Sequence, residues 1–432
     1  MQPLVLSIPG DFWDVQIYRG CLYLWHYDGR LSVYDWERLI ELAYPGASQS
    51  LSVKAAWLRG NSLYQPNVLA VFEDPSFRSL LERQLEGLVA NVPDITPVLL
   101  ERALYRVQDN PVKELPTDTE IYKNVLYIVT YDGLWSATVH SNRLRNPVSS
   151  RPKKRWDAPV YSASASHRRI ALSAGDEGLF DYDIDYVDGF EEGVDGGIAP
   201  LTHRHSSYAD WAFASIYNTS LVGSSCLLAY GWQYESTSYR RVRRTFVREI
   251  DESEILGNGH GADLSWGAGD KICDVSGDEL TVTRYVQQNV TGSGTYTHAE
   301  RLDSDGAVLS DPEEMTGHPL EPREQPFSSL GTISTSTKSD IVKAGLAYFG
   351  ILLETNEQLV VYRSDSDPWT FPGPIVRWRT YPRAKFYENH LHIVAQDAVH
   401  FVAFMHDYWE NQEEKIAGIR YRFRPSSRRS TF

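Results

Sequence analysis

LYLWHYDGRLSVYDW, residues 22–36, is two apolar runs joined by the pair Asp28-Gly29. Leu31, Val33, Tyr34 and Trp36 carry the second run. Glycine supplies the positive φ that tight hairpins need, so the stretch predicts two antiparallel strands meeting at that turn. Similar stretches stand at 126–139 (LYIVTYDGLWSATV) and 170–184 (IALSAGDEGLFDYDI). The second strand of each copy is expected to start near Gly29, Gly133, Gly178, Leu228, Glu279, Gln358 and Ala398. Intervals in the middle are about 45, 50 and 51 residues and the last is about 40, the span of a four-stranded propeller blade.

A chain of 432 residues is too long for one simple core, which leaves two or three ordinary domains or one repeat architecture. Aromatics make up 12% of it, with 12 Trp, 26 Tyr and 15 Phe, and they favour strands. The fold class expected is therefore all-β: one β-propeller over 1–432, with seven blades of four antiparallel strands. Eight blades, or six plus a helical subdomain, are the alternative counts. A single four-stranded blade cannot bury both faces; stacked around an axis, it buries them against its neighbours.

Two intervals exceed the period. Between Gly29 and Gly133, DPSFRSLLERQLEGLVAN (74–91) opens with Asp74 as N-cap and Pro75 at the first helical position. Phe77, Leu80, Leu81, Gln84, Leu85 and Leu88 then share one helical face. Residues 94–104 read as a second short helix, 35–45 as a helical turn or two, and 50–58 and 67–74 as strand-like. A helical insertion is expected over 66–110. In the second long interval, 279–311 reads as a long hairpin turning at 292–294, with a further Asp-Gly turn at 305–306. Residues 311–340, rich in Pro, Ser and Thr, read as a surface loop. KIAGIRYRFRP (415–425) is the expected ring-closing strand, and 426–432 a flexible basic tail.

The succession of strand, Asp-Gly turn and aromatic strand resembles the WD40-like and quinoprotein-like β-propeller superfamily. DGRLSVYDW (28–36) is the segment nearest to a WD-type strand. A Gly-His pair does not open each repeat, and Trp-Asp does not end most of them.

Net charge is −15, which repels nucleic acid and anionic lipid at long range. The three cysteines, Cys21, Cys226 and Cys273, form no CxxC pair and suit a reducing, cytoplasmic setting. The N-terminal MQPLVLSIPGDFWD lacks a basic region, and the longest apolar run, 344–353, is about half a membrane helix.

Asp181, Asp183 and Asp185 alternate along a strand and share a face that suits a hard cation. The bland reading is a strand with Tyr182, Ile184 and Tyr186 inward and the acids in water, and no metal is assigned. YRRVRRTFVRE (239–249) brings Arg240, Arg241, Arg243 and Arg244 onto an outer strand, and the tail adds Arg428 and Arg429. These arginines are the candidate partner-binding residues, suited to an acidic protein surface. His203 and His205 form one H-x-H pair and His390 and His392 another; both read as loop or rim histidines. Cys226 leads into an apolar strand and reads as buried. No nucleophile elbow or phosphate loop is present, so no catalytic residue or cofactor is expected. The function expected is a non-catalytic scaffold or accessory subunit in a hetero-complex, binding proteins through the propeller rim and inserted helices. A carbohydrate-binding or glycoside-acting propeller is the first alternative, and nucleic-acid binding through the arginines the second.

Overall fold

The protein is described by a computed structural model covering residues 2–47, 50–58, 71, 74–140, 146–166, 168–184, 197–211, 215–222, 227–236, 242–256, 263–285, 327–335, 341–363, 366–384, 386–405 and 415–419. Among these residues, 28 strands pair into seven four-stranded antiparallel sheets. After β1 (Leu4–Pro9), the first sheet holds β2 (Phe12–Tyr18), β3 (Cys21–His26), β4 (Arg30–Asp35) and β5 (Leu104–Asp109). The second holds β6 (Asp118–Tyr122), β7 (Val125–Thr130), β8 (Gly133–Thr138) and β9 (Lys153–Trp156). The third holds β10 (Ser162–Ser166), β11 (Arg169–Ser173), β12 (Leu179–Asp183) and β13 (Ile198–Thr202). The fourth holds β14 (Tyr208–Trp211), β15 (Ser215–Thr219), β16 (Leu227–Ser236) and β17 (Val242–Asp251). The fifth holds β18 (Leu264–Ala268), β19 (Lys271–Ser276), β20 (Glu279–Tyr285) and β21 (Phe327–Ser334). The sixth holds β22 (Ile341–Ala347), β23 (Gly350–Thr355), β24 (Gln358–Arg363) and β25 (Ser366–Pro372). The last joins β26 (Ile375–Thr380), β27 (His390–Ala395) and β28 (Ala398–Ala403) to β1. This is a β-propeller of four-stranded antiparallel blades.

The recurring stretch is the hairpin between the second and third strands of a sheet. The expected starts coincide with β4, β8, β12, β16, β20, β24 and β28 to within a residue. The glycine of the turn has a steric reason. Gly133 (φ 135) and Gly178 (φ 102) begin or precede third strands beside a fourth strand, and a Cβ there would overlap the carbonyl oxygens of Trp156 and Thr202.

The core consists of the wedges between sheets. Leu126, Ile128 and Ala137 of the second sheet pack on Tyr23, Trp25, Leu31 and Val33 of the first. Leu352, Leu359 and Val361 of the sixth pack on Trp378, Leu391 and Val402 of the last. Trp25, Trp36, Trp57, Trp211 and Trp266 are among the largest fully buried side chains. Trp25, Trp211 and Trp266 stand on strands and fill wedges, whereas Trp36 and Trp57 belong to the helical segments and pack on each other.

Four expectations need correction. The ring is closed by β1, whose Leu4, Leu6 and Ile8 lie opposite Ala403, Phe401 and Val399 of β28. Residues 415–425 do not close it: 415–419 form no strand, and 420–425 lie outside the described residues. Instead, Ile416, Ala417 and Ile419 wedge between the fifth and sixth sheets, where Lys271 Nζ donates to the carbonyls of Lys415 and Gly418. Residues 51–58, read as strand-like, are helical: Leu51–Val53 is α-helical and Lys54–Leu58 a π-turn, capped by Ser50. Val53, Ala55 and Ala56, small or β-branched, then pack inward beside Trp57. The helical insertion ends before 110, because Leu104–Asp109 is β5, pairing with β4. The 311–340 loop is interrupted by β21, which pairs with β20; 311–326 and the 292–294 turn lie outside the described residues, as does the 426–432 tail.

The inserted helices run Trp36–Ala43, Pro75–Ala90 and Pro97–Ala103. Asp35, Asp74 and Thr96 cap them through the amides of Arg38, Ser76 and Leu99. The helices cover the junction of β1 and the first sheet. Among the described residues, no helix is long and apolar enough to cross a membrane.

Candidate functional site

The first strand of each sheet faces the propeller axis, and the most heavily charged cluster among the described residues lies there. β26 reads IVRWRT, so Arg377 and Arg379 alternate with Trp378 and point the opposite way from it. Trp378 packs outward into the wedge, its indole donating to Glu354 Oε2 at 2.7 Å. Arg379 grips Asp14 of β2 bidentately, Nε to Oδ1 and Nη2 to Oδ2, both at 2.7 Å. The same Nη2 donates to Asp118 Oδ1 of β6 at 2.7 Å. Arg377 donates to Asp118 Oδ1 at 3.1 Å and to the Thr117 carbonyl at 2.6 Å. Thr119 Oγ1 completes the Asp14 shell at 2.8 Å.

Arg383, beyond the end of β26, reaches across to Asp210 Oδ1 of β14 at 2.7 Å and Ser164 Oγ of β10 at 3.0 Å. Its guanidinium lies 4.0 Å from Glu120 Oε1. One arginine-bearing segment thus braces the first strands of the first four sheets. Asp14 is fully buried. Burial pushes the Asp118 carboxyl up, but Arg379 and Arg377 overcome it and hold the group below the usual range. Burial wins at Glu120, which rises to about 7 against the pull of Arg383 and Arg379. Burial likewise lowers Lys343 to about 8, opposed by Glu354 and Asp118. Bidentate, charge-assisted bonds of this kind fix geometry, and their chemistry here is to lock sheets in register around the axis.

Sequence reading missed this cluster. Its signal is the alternation of arginines in VRWRTYPR (376–383), matched by Asp14, Asp118 and Asp210 on other first strands. Only assembled sheets show that these strands share an axis.

The residues singled out from sequence fall elsewhere. Asp181 and Asp183 do share one face of β12, but Arg169 of β11 pairs with both, at 3.2 Å to Asp183. Asp181 is buried rather than solvated, because the opposite strand supplies its cation. Asp185 lies outside the described residues, among which no group of three metal-ligating side chains occurs. Arg243 and Arg244 lie on β17, the outermost strand of the fourth sheet, opposite Glu235 and Tyr234. Arg240, Arg241, Arg428, Arg429 and Cys226 lie outside the described residues. His203 is exposed in the loop before β14, and His205 bonds Ser220 Oγ at 3.0 Å.

His390 and His392 are fully buried, not rim residues. His390 Nε2 meets the Ala56 carbonyl at 2.8 Å, so that nitrogen carries the proton. His390 Nδ1 then accepts from His392 Nε2 at 3.4 Å, leaving His392 Nδ1 to accept from Tyr381 Oη–H at 3.0 Å. Both rings are neutral: burial lowers His390 to about 4, and burial with the neighbouring His390 also lowers His392. The pair ties the last sheet to the inserted segment. In the unfolded chain both bind protons near the ordinary value of about 6.5. Stability is therefore full above that pH and falls as pH drops toward 4, by about 1.4 kcal/mol per unit for each histidine. Glu120, raised, contributes with the opposite sign over much of this window. Urea unfolding at pH 7.5 and 5.0 is expected to show a smaller acid loss in His392→Gln than in the wild type. Equal losses would refute the assignment.

No family model and no curated protein matches the chain. The computationally designed Ika8 protein is similar at a TM-score of 0.42 and 8% identity, covering 94% of this chain and 100% of that chain. Sqt1 of Chaetomium thermophilum, solved bound to the N-terminus of ribosomal protein L10, has a TM-score of 0.38 and 9% identity over 89% of this chain and 80% of that chain. A chain of the COPII outer coat vertex has a TM-score of 0.38 and 9% identity over 72% of this chain and 76% of that chain. The four-stranded antiparallel blades expected from the repeat are present in the chain's own sheets.

Proposed function

We propose that the seven sheets form one seven-bladed scaffold without catalytic activity, acting as an accessory subunit that binds partner proteins in a hetero-complex. The supporting observation is the inserted helical segment. Helix Pro75–Ala90 buries Leu81 and Leu85, whereas Phe77 and Leu80, expected on the same buried face, are 53% and 46% exposed. Val98 on the next helix is 62% exposed, and Val107 on β5, the outermost strand of its sheet, 42%. Apolar side chains displayed on a helical module beside the outermost strand of a sheet are the usual material of a protein interface.

The test uses the tagged full chain purified from its native host at moderate and high salt. The double variant Phe77→Ser, Val98→Ser is expected to lose a stoichiometric protein partner held by the wild type, with an unchanged urea midpoint. A partner retained by the variant removes the helices from the interface. No partner for either chain at either salt overturns the scaffold reading.

A further inference from the structure

In every sheet the turn between the second and third strands lies at the end where the first strand begins. Backbone bonds tie such turns to the chain entering the next sheet: Asp397 O accepts from Gly10 N at 2.9 Å, Thr130 O from Val160 N at 3.1 Å, and Ser206 O from Gly175 N at 3.0 Å. This end of the propeller displays aromatic rings. Tyr131 is 65% exposed and Tyr161 44%, and their rings meet edge to face at 5.6 Å, bridging the second and third sheets. Gly175 backs the pair, since a Cβ there would stand 2.8 Å from the Tyr161 ring. Tyr27, 39% exposed, packs edge to face on Trp13 at 5.2 Å, and Val222, 62% exposed, continues the arc onto the fourth sheet.

The same turns are acidic. Exposed Asp28, Asp132, Asp176, Glu177, Asp278, Glu357 and Asp397 lie in the described turns of six sheets. Arg30 and Lys154 offset part of this charge, pairing with Asp28 and Asp132. The arc between them is thus an aromatic platform surrounded by carboxylates.

We propose that this end binds a cationic polypeptide segment of a partner protein. An arginine presents a flat cation to the exposed tyrosine faces and forked donors to the surrounding carboxylates. A lysine lays its apolar stem on the same rings and its ammonium among the same acids. The acidic turns disfavour nucleic acid and phosphate-bearing ligands at this end. The proposal rests on the scaffold reading and assigns one face of it a partner chemistry.

The test is fluorescence anisotropy of a labelled (Arg-Gly)6 peptide with the full chain at low and moderate salt. The double variant Tyr131→Ala, Tyr161→Ala is expected to bind roughly tenfold more weakly, as is Asp176→Asn, Glu177→Gln. Phe77→Ser, Val98→Ser is expected to bind as the wild type does, because those residues lie on the inserted helices. Circular dichroism and urea midpoints check that each variant is folded. Absence of binding overturns the proposal. So does equal binding by the tyrosine variant, which would assign the attraction to the net charge of −15 alone. Either failure leaves the partner test on the helices untouched.

Discussion

Arg379→Met is expected to cost about 3–5 kcal/mol of stability, the range for breaking a buried ion pair from one side. Arg379 is the cation that closes the ring: it joins the last sheet to Asp14 of the first and Asp118 of the second, each bond at 2.7 Å. Methionine fills most of the volume but leaves the two buried carboxylates with Arg377, whose Nε stands 3.7 Å from Asp14, and with Lys343, whose charge reaches Asp118. The full cost is that of the stranded charge rather than of the lost bonds. The double variant Asp14→Asn, Arg379→Met is therefore expected to be more stable than the sum of the two single losses implies, by at least about 1 kcal/mol. Urea unfolding of the four proteins measures this. Additive losses, or a single-variant loss below about 1 kcal/mol, would show that the network carries no such role.

Removal of residues 1–9 is expected to abolish cooperative unfolding. β1 is the fourth strand of the last sheet, and Leu4, Leu6 and Ile8 are at most 1% exposed. Burial of three such side chains is worth roughly 5–9 kcal/mol, at about 1.5–3 kcal/mol each. That is comparable to the whole stability of an ordinary domain. Loss of β1 also exposes the edge of β28, uncovers Phe401 and invites aggregation. A synthetic peptide of residues 2–10 is expected to restore part of the native fluorescence by adding back as a strand. A truncated chain with the wild-type midpoint would show that the ring closes elsewhere.

Much of the architecture was legible in the chain. Gly29, Gly133 and Gly178 mark hairpins because each takes a positive φ, and at Gly133 and Gly178 a fourth strand also passes too close for any side chain. Asp74, Pro75 and Thr96 likewise announce helix starts through local capping. The expected face of helix 75–90 was only half right, since Leu81 and Leu85 are buried and Phe77 and Leu80 are not. Periodicity identifies an apolar stripe but not how much of it a neighbour covers.

The candidate sites were less legible. Asp181, Asp183 and Asp185 invited a metal reading through spacing alone, yet Arg169 on the adjacent strand pairs with the two described acids. The histidines of β27 looked peripheral because nothing local says that Ala56, more than 300 residues earlier, will supply their acceptor. Arg377, Arg379 and Arg383 stood out least, although they hold the most heavily charged cluster among the described residues.

By itself, then, the sequence determined the strand hairpins, the repeat and the all-β propeller class, because turn sterics and alternating burial act over a few neighbouring residues. Tertiary structure alone decided which strand closes the ring, which carboxylates meet the arginines of β26, and which aromatics remain exposed. Those outcomes depend on sheets meeting around an axis, where partners lie hundreds of residues apart and burial is set by the neighbour rather than by the segment.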